Sequence, residues 1–98
     1  MTLKVVADNW IRADAVGDFV AAAQELVAET LAKDPGCIAY GLWRDTADPA
    51  HLTVLEEWET QEALDKHLSS EHFQRLFPAF GAAADPAKPG VIAVYQPV

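Results

Sequence analysis

Residues 37–59 read CIAYGLWR (37–44), DTADPA (45–50) and HLTVLEEWE (51–59), and this stretch decides the fold. Its first run alternates, with Ile38, Tyr40 and Leu42 opposite Cys37, Ala39, Gly41 and Trp43. Its last run resumes the alternation with Leu52, Val54, Glu56 and Trp58 on one side. Period-two alternation rich in β-branched and aromatic residues specifies strands. The intervening Asp45-Thr46-Ala47-Asp48-Pro49 is turn chemistry, and so short a connection makes the two strands a hairpin.

On the N-terminal side, Asp34-Pro35-Gly36 closes a different pattern. From about Asp14, Val16, Phe19, Val20, Ala23, Leu26, Val27, Thr30 and Leu31 recur at three-and-four spacing, which predicts an amphipathic helix covering a sheet. The Pro-Gly pair cannot continue it. Before that helix, Leu3 to Arg12 predicts a strand with Leu3, Val5, Ala7, Asn9 and Ile11 on one face. On the C-terminal side, Thr60 can cap a helix whose inner stripe is Leu64, His67 and Leu68. Ser69-Ser70 interrupts it, and a further helical piece carries Phe73, Leu76, Phe77 and Phe80, bent or ended by Pro78. A Pro-rich loop, Asp85 to Gly90, leads to a last strand over Val91 to Gln96.

The predicted order is strand, helix, strand, strand, helix, strand. This is a ferredoxin-like α+β domain over residues 1–98, with helices on one face of an antiparallel sheet. Most strands carry apolar residues on both sides, as with Val5 and Val6, Leu42 and Trp43, or Leu55 and Trp58. A sheet with one wet face would alternate apolar with polar, so the bare face is expected to pack on a second copy as a homodimer.

Composition narrows the function classes. The 98 residues carry a net charge of −8, from seven Lys and Arg against fifteen Asp and Glu. Such a chain repels phosphate backbones, so neither nucleic acid nor an anionic membrane is expected as a partner. Cys37 is the only cysteine, which precludes an internal disulfide and fits a reducing, cytoplasmic location. The first residues are too short and polar for a signal peptide, and no stretch approaches the ~20 apolar residues of a membrane span.

Asn9 in the first strand, Gly36-Cys37 with Tyr40, Glu56-Glu57-Trp58, and Leu64-Asp65-Lys66-His67 followed by His72 occur in one order on matching elements. Together they resemble the antibiotic biosynthesis monooxygenase domain family, and in particular its small quinol-monooxygenase-like members. The run from Glu56 to His72 is the most specific part. The resemblance implies a dimeric α+β barrel and a pocket between sheet and helices. It also implies addition of molecular oxygen to a small electron-rich aromatic, a quinol or phenol, with no metal, flavin or other cofactor. Its implied site has Asn9, Trp58 and His67 as catalytic residues and Tyr40, His72, Phe73 and Phe77 as substrate-binding residues. An amide and an indole N–H are donors for a developing oxyanion, and an imidazole is a base near neutral pH.

Differences from better-defined subfamilies shape this expectation. Where haem-degrading members carry an Asn, Trp and His set, Asn9 matches the first, but His67 and Phe77 occupy the other two positions, so haem degradation is not expected. Members that oxidise polyketide anthrones keep a Trp matching Trp58, but Val54 and Leu64 stand where they have Asn and Tyr. On a continuous helix His67 and His72 would point ~140° apart, which argues against a shared metal. The alternative function is a non-catalytic dimeric small-molecule-binding or stress-associated domain, which fold alone does not separate from an enzyme.

Overall fold

The computed structural model describes all residues, 1–98. Strand β1 (Leu3–Trp10) leads through a single 3-10 turn into helix α1 (Val16–Lys33). Strands β2 (Cys37–Arg44) and β3 (His51–Trp58) form the hairpin. Three short helices follow, α2 (Gln61–Leu68), α3 (Glu71–Leu76) and α4 (Pro78–Ala83), and β4 (Val91–Tyr95) closes the chain. The sheet order is β2-β3-β1-β4 with every neighbouring pair antiparallel, which is the ferredoxin-like arrangement. No helix is long and apolar enough to cross a membrane.

The inner face of the sheet carries Leu3 and Val5 from β1, Tyr40 from β2, and Leu52, Val54 and Trp58 from β3, all buried. Against it α1 lays Phe19, Ala23, Leu26 and Thr30, so the helical stripe is as predicted except that Leu31 faces outward. Arg75 holds α3 alongside α1 by bonds of 2.6 Å to both Glu25 and Glu29. The outer face is covered by no element and exposes Trp43, Leu55, Val91 and Tyr95. Its polar feature is a chain in which Thr53 Oγ1 donates to Asp8 at 2.6 Å and His51 bridges Asp8 and Asp45.

Three details differ from the sequence-based expectation, each for a local reason. The β2–β3 register slips between Cys37 and Ala39. Ile38 becomes the extra residue of a bulge and lies 47% exposed. Cys37, opposite Trp58, therefore shares the inner face with Tyr40, opposite Glu56, where strict alternation had put them on opposite faces. Strand β1 stops at Trp10, with Ile11 continuing only as an isolated bridge to Ala84. Pro78 does not end the helical region but starts α4, where its missing N–H costs nothing.

Gly36, in the connection from α1 to β2, adopts φ 83°, and a Cβ there would lie 2.7 Å from the Ala63 side chain. The tight turn and the close approach of α2 both require glycine. Gly36→Ala should cost about 2–3 kcal/mol, combining left-handed strain with overpacking. Gly17→Ala, at an open helical position, should be neutral or stabilising by up to ~1 kcal/mol. Urea denaturation of both variants checks this, with equal effects contradicting it.

Candidate active site

Between the inner face of the sheet and helices α2–α4 lies a mainly apolar cavity of about 310 Å³. One wall is aromatic: Phe73 and Phe77 stack with ring centroids 4.7 Å apart, and Phe80 joins them. Inner-face residues of β1, β3 and β4 form the floor. The polar groups that reach it include Asn9, Glu56 and His67, and no Lys or Arg lines it.

His67 is placed by the way the helix breaks. Thr60 caps α2, its hydroxyl accepting from Ala63 N at 3.0 Å, and the helix runs two turns to Leu68. Ser70 then serves both sides of the break: its hydroxyl donates to His67 O at 2.7 Å and accepts from Phe73 N at 3.2 Å, capping α3. This turn redirects the chain, so His67 and His72 are not ~140° apart as on one continuous helix. Instead both reach Asp34 Oδ2, His67 through Nδ1 at 2.6 Å and His72 through Nε2 at 3.0 Å. The spacing argument against a shared site is thereby corrected.

Asp34, His67 and His72 offer three ligand atoms within 4.8 Å of one another, a donor set able to hold a metal ion. The two imidazole nitrogens converge on a single carboxylate oxygen at hydrogen-bond distances, so each can donate an N–H to it. Asp34 thus fixes the His67 tautomer with the proton on Nδ1, leaving Nε2 as an acceptor. Burial pushes the His67 pKa below its ordinary value, the Asp34 hydrogen bond opposing, so the ring is neutral at pH 7.

Trp58 is 0% exposed and lies behind the cavity, outside its lining. Its ring packs on His67 with centroids 4.8 Å apart, and its Nε1 donates to Glu56 Oε1 at 2.9 Å. Glu56 makes no salt bridge, and burial pushes its carboxyl up to about 7, the Trp58 hydrogen bond opposing. Tyr40 borders the cavity beneath His67, and burial first, then Glu56, keeps its phenol protonated. Asn9 also lines the cavity, with Nδ2 turned to Ala7 O at 3.0 Å and Leu52 O at 3.4 Å. Two carbonyl partners fix the amide's orientation, so Asn9 offers a ligand its Oδ1, an acceptor, rather than N–H donors.

Of the residues singled out from sequence, Asn9, Tyr40, His67, Phe73 and Phe77 meet around one cavity, whereas Trp58 and His72 stand behind it. In the sequence Asp34 reads only as part of a helix terminator, and Glu56 as a strand residue alternating with Val54 and Trp58. The signal for Glu56 was available, since it alternates with Leu52, Val54 and Trp58 on the face facing the helices. Nothing local marks Asp34, whose partners are 33 and 38 positions away.

The two cavity groups have opposite effects on stability. Glu56 ionises near 4.5 when unfolded and about 7 when folded, so its stabilising contribution is full below pH 4.5 and lost as pH rises to about 7. His67 is held neutral, so its contribution is present above about 6.5 and lost as pH falls. Glu56→Gln should therefore be more stable than the wild type above pH 7, by up to about 3 kcal/mol, with the difference vanishing near pH 4.5. Chemical denaturation across this range checks the sign; a pH-independent difference would contradict it.

The sequence profile of the family described as "Antibiotic biosynthesis monooxygenase" matches residues 2–79. A conserved protein from Methanosarcina mazei Go1 is 36% identical and superposes with a TM-score of 0.92, over 98% of this chain and 92% of that one. A solved structure described as an antibiotic biosynthesis monooxygenase is also 36% identical, with a TM-score of 0.89 over 98% of each chain. A Mycobacterium tuberculosis protein, 23% identical with a TM-score of 0.89, covers 100% of this chain and 96% of its own and shares the fold. No curated protein matches the chain.

Proposed function

The chain belongs to the antibiotic biosynthesis monooxygenase family, and from that premise we propose that it adds oxygen to a small neutral phenol or quinol, with His67 as the base and no cofactor. The observation that carries this reading is His67, backed by Asp34, facing a mainly apolar cavity. A base oriented by a carboxylate and shielded from water suits proton abstraction from a weak acid.

The steps follow from the residues. A phenolic hydroxyl entering the cavity donates its proton to His67 Nε2, and the imidazolium formed is stabilised by Asp34 through Nδ1. The resulting electron-rich anion passes one electron to molecular oxygen, and the radical pair joins as a new carbon–oxygen bond, giving a hydroperoxide. Loss of water from it gives the hydroxylated quinone, so one quinol and one oxygen molecule yield one hydroxyquinone and one water. Phe73 and Phe77 hold the ring, Asn9 Oδ1 accepts from a hydroxyl, and Trp58 and His72 act as positioning residues.

The uncovered sheet face, with Trp43 at 62% exposure beside Leu55, supports assembly as a homodimer. Sedimentation at micromolar concentration should give a two-chain species that loses stability on dilution, and a stable monomer would contradict it.

Oxygen uptake measured with a panel of quinols and anthrones, metals chelated, tests the activity. His67→Ala should lower kcat by ~10²-fold or more while changing ligand affinity much less. If activity per folded molecule is unchanged and only thermal stability falls, His67 is structural. If no quinol or anthrone supports uptake although aromatic ligands bind, the chain is a binding module.

A further inference from the structure

We propose that Glu56 is the specificity determinant of the cavity, accepting a hydrogen bond from the second hydroxyl of a neutral dihydroxyarene and rejecting ligands that carry a carboxylate. This subsite rests on the reading of the cavity as the place where a phenolic ring is oxygenated.

Glu56 is held in place by Trp58. Its Oε1 accepts from Trp58 Nε1 at 2.9 Å, and Trp58 is itself immobilised at 0% exposure in the core. That bond uses part of the acceptor capacity of a carboxylate, which has two oxygens and about four lone-pair sites. The rest meets the cavity with no cation to neutralise it, since Glu56 has no salt-bridge partner and the lining has no Lys or Arg. A carboxylate kept in apolar surroundings without a cation gains most from a ligand that brings a donor. It loses most from one that brings a second negative charge. Trp58 also packs on His67, so the two proton-accepting groups are set by one ring, suiting a substrate with two hydroxyls.

Equilibrium dialysis under nitrogen, at about pH 8, compares hydroquinone with phenol and with gentisate, its carboxylated counterpart. Wild-type protein should bind hydroquinone about tenfold or more tightly than either, the value of one charge-assisted hydrogen bond. Glu56→Gln keeps an acceptor for the Trp58 N–H and is expected to fold. It should raise gentisate affinity relative to hydroquinone by about tenfold. Glu56→Leu should make hydroquinone and phenol bind alike, with far-UV circular dichroism confirming the fold. Unchanged ratios in Glu56→Gln, or no binding of hydroquinone to the wild type, would overturn the proposal. Because oxygen is excluded, Glu56-dependent discrimination without oxygen uptake removes the oxygenase reading alone. Uptake with unaltered discrimination removes the subsite alone.

Discussion

The hydrogen bond from His67 Nδ1 to Asp34 Oδ2, 2.6 Å long between side chains of low exposure, is the interaction on which the rest of the arrangement depends. It joins the end of α1 to α2, and through His72 the same carboxylate oxygen reaches α3. Three helical segments thus converge on one acid, which settles how the helix layer sits over the sheet and where the cavity opens. Two turns permit it. Gly36 turns with a positive φ two residues after Asp34, and the Ser70 hydroxyl ends one helix while starting the next.

Burying such groups costs stability unless each is paired. Here the costs are shared around one indole. Trp58 packs its ring on His67 and donates its N–H to Glu56, so a residue with no exposure of its own positions both titratable groups of the cavity. The remaining strain is electrostatic: burial raises the Glu56 carboxyl and lowers the His67 imidazole, holding each in its neutral form more than water would. A carboxyl raised to about 7 can take up or release a proton near neutral pH, and an imidazole held neutral is free to accept one.

Much of the fold was legible in the sequence because hydrophobic period follows directly from secondary structure. The alternation of Leu52, Val54 and Trp58 and the three-and-four spacing of Phe19, Ala23, Leu26 and Thr30 mark the faces that meet in the core. The bulge at Cys37–Ala39 escaped because alternation carries no mark of an inserted residue. In the site, Asn9, His67, Phe73 and Phe77 were pointed to by the family resemblance, and they converge on one cavity. Asp34 was not, since its partners come from elements packed against it only in three dimensions. The break at Ser69-Ser70 was read correctly, but its consequence, the meeting of His67 and His72, depends on the turn angle, which no local pattern encodes.

Burial holds His67 as a neutral imidazole against the opposing pull of Asp34, while the hydrogen bond to Asp34 places its proton on Nδ1 and leaves Nε2 free for a substrate proton. Nitrogen-15 NMR of histidine-labelled protein reads tautomer and titration at each ring. The account predicts that His67 shows the Nδ1–H tautomer at pH 7 and protonates only below its ordinary pKa, and that Asp34→Asn removes the tautomer preference. A His67 ring that carries its proton on Nε2, or that is already imidazolium at pH 7, would contradict it.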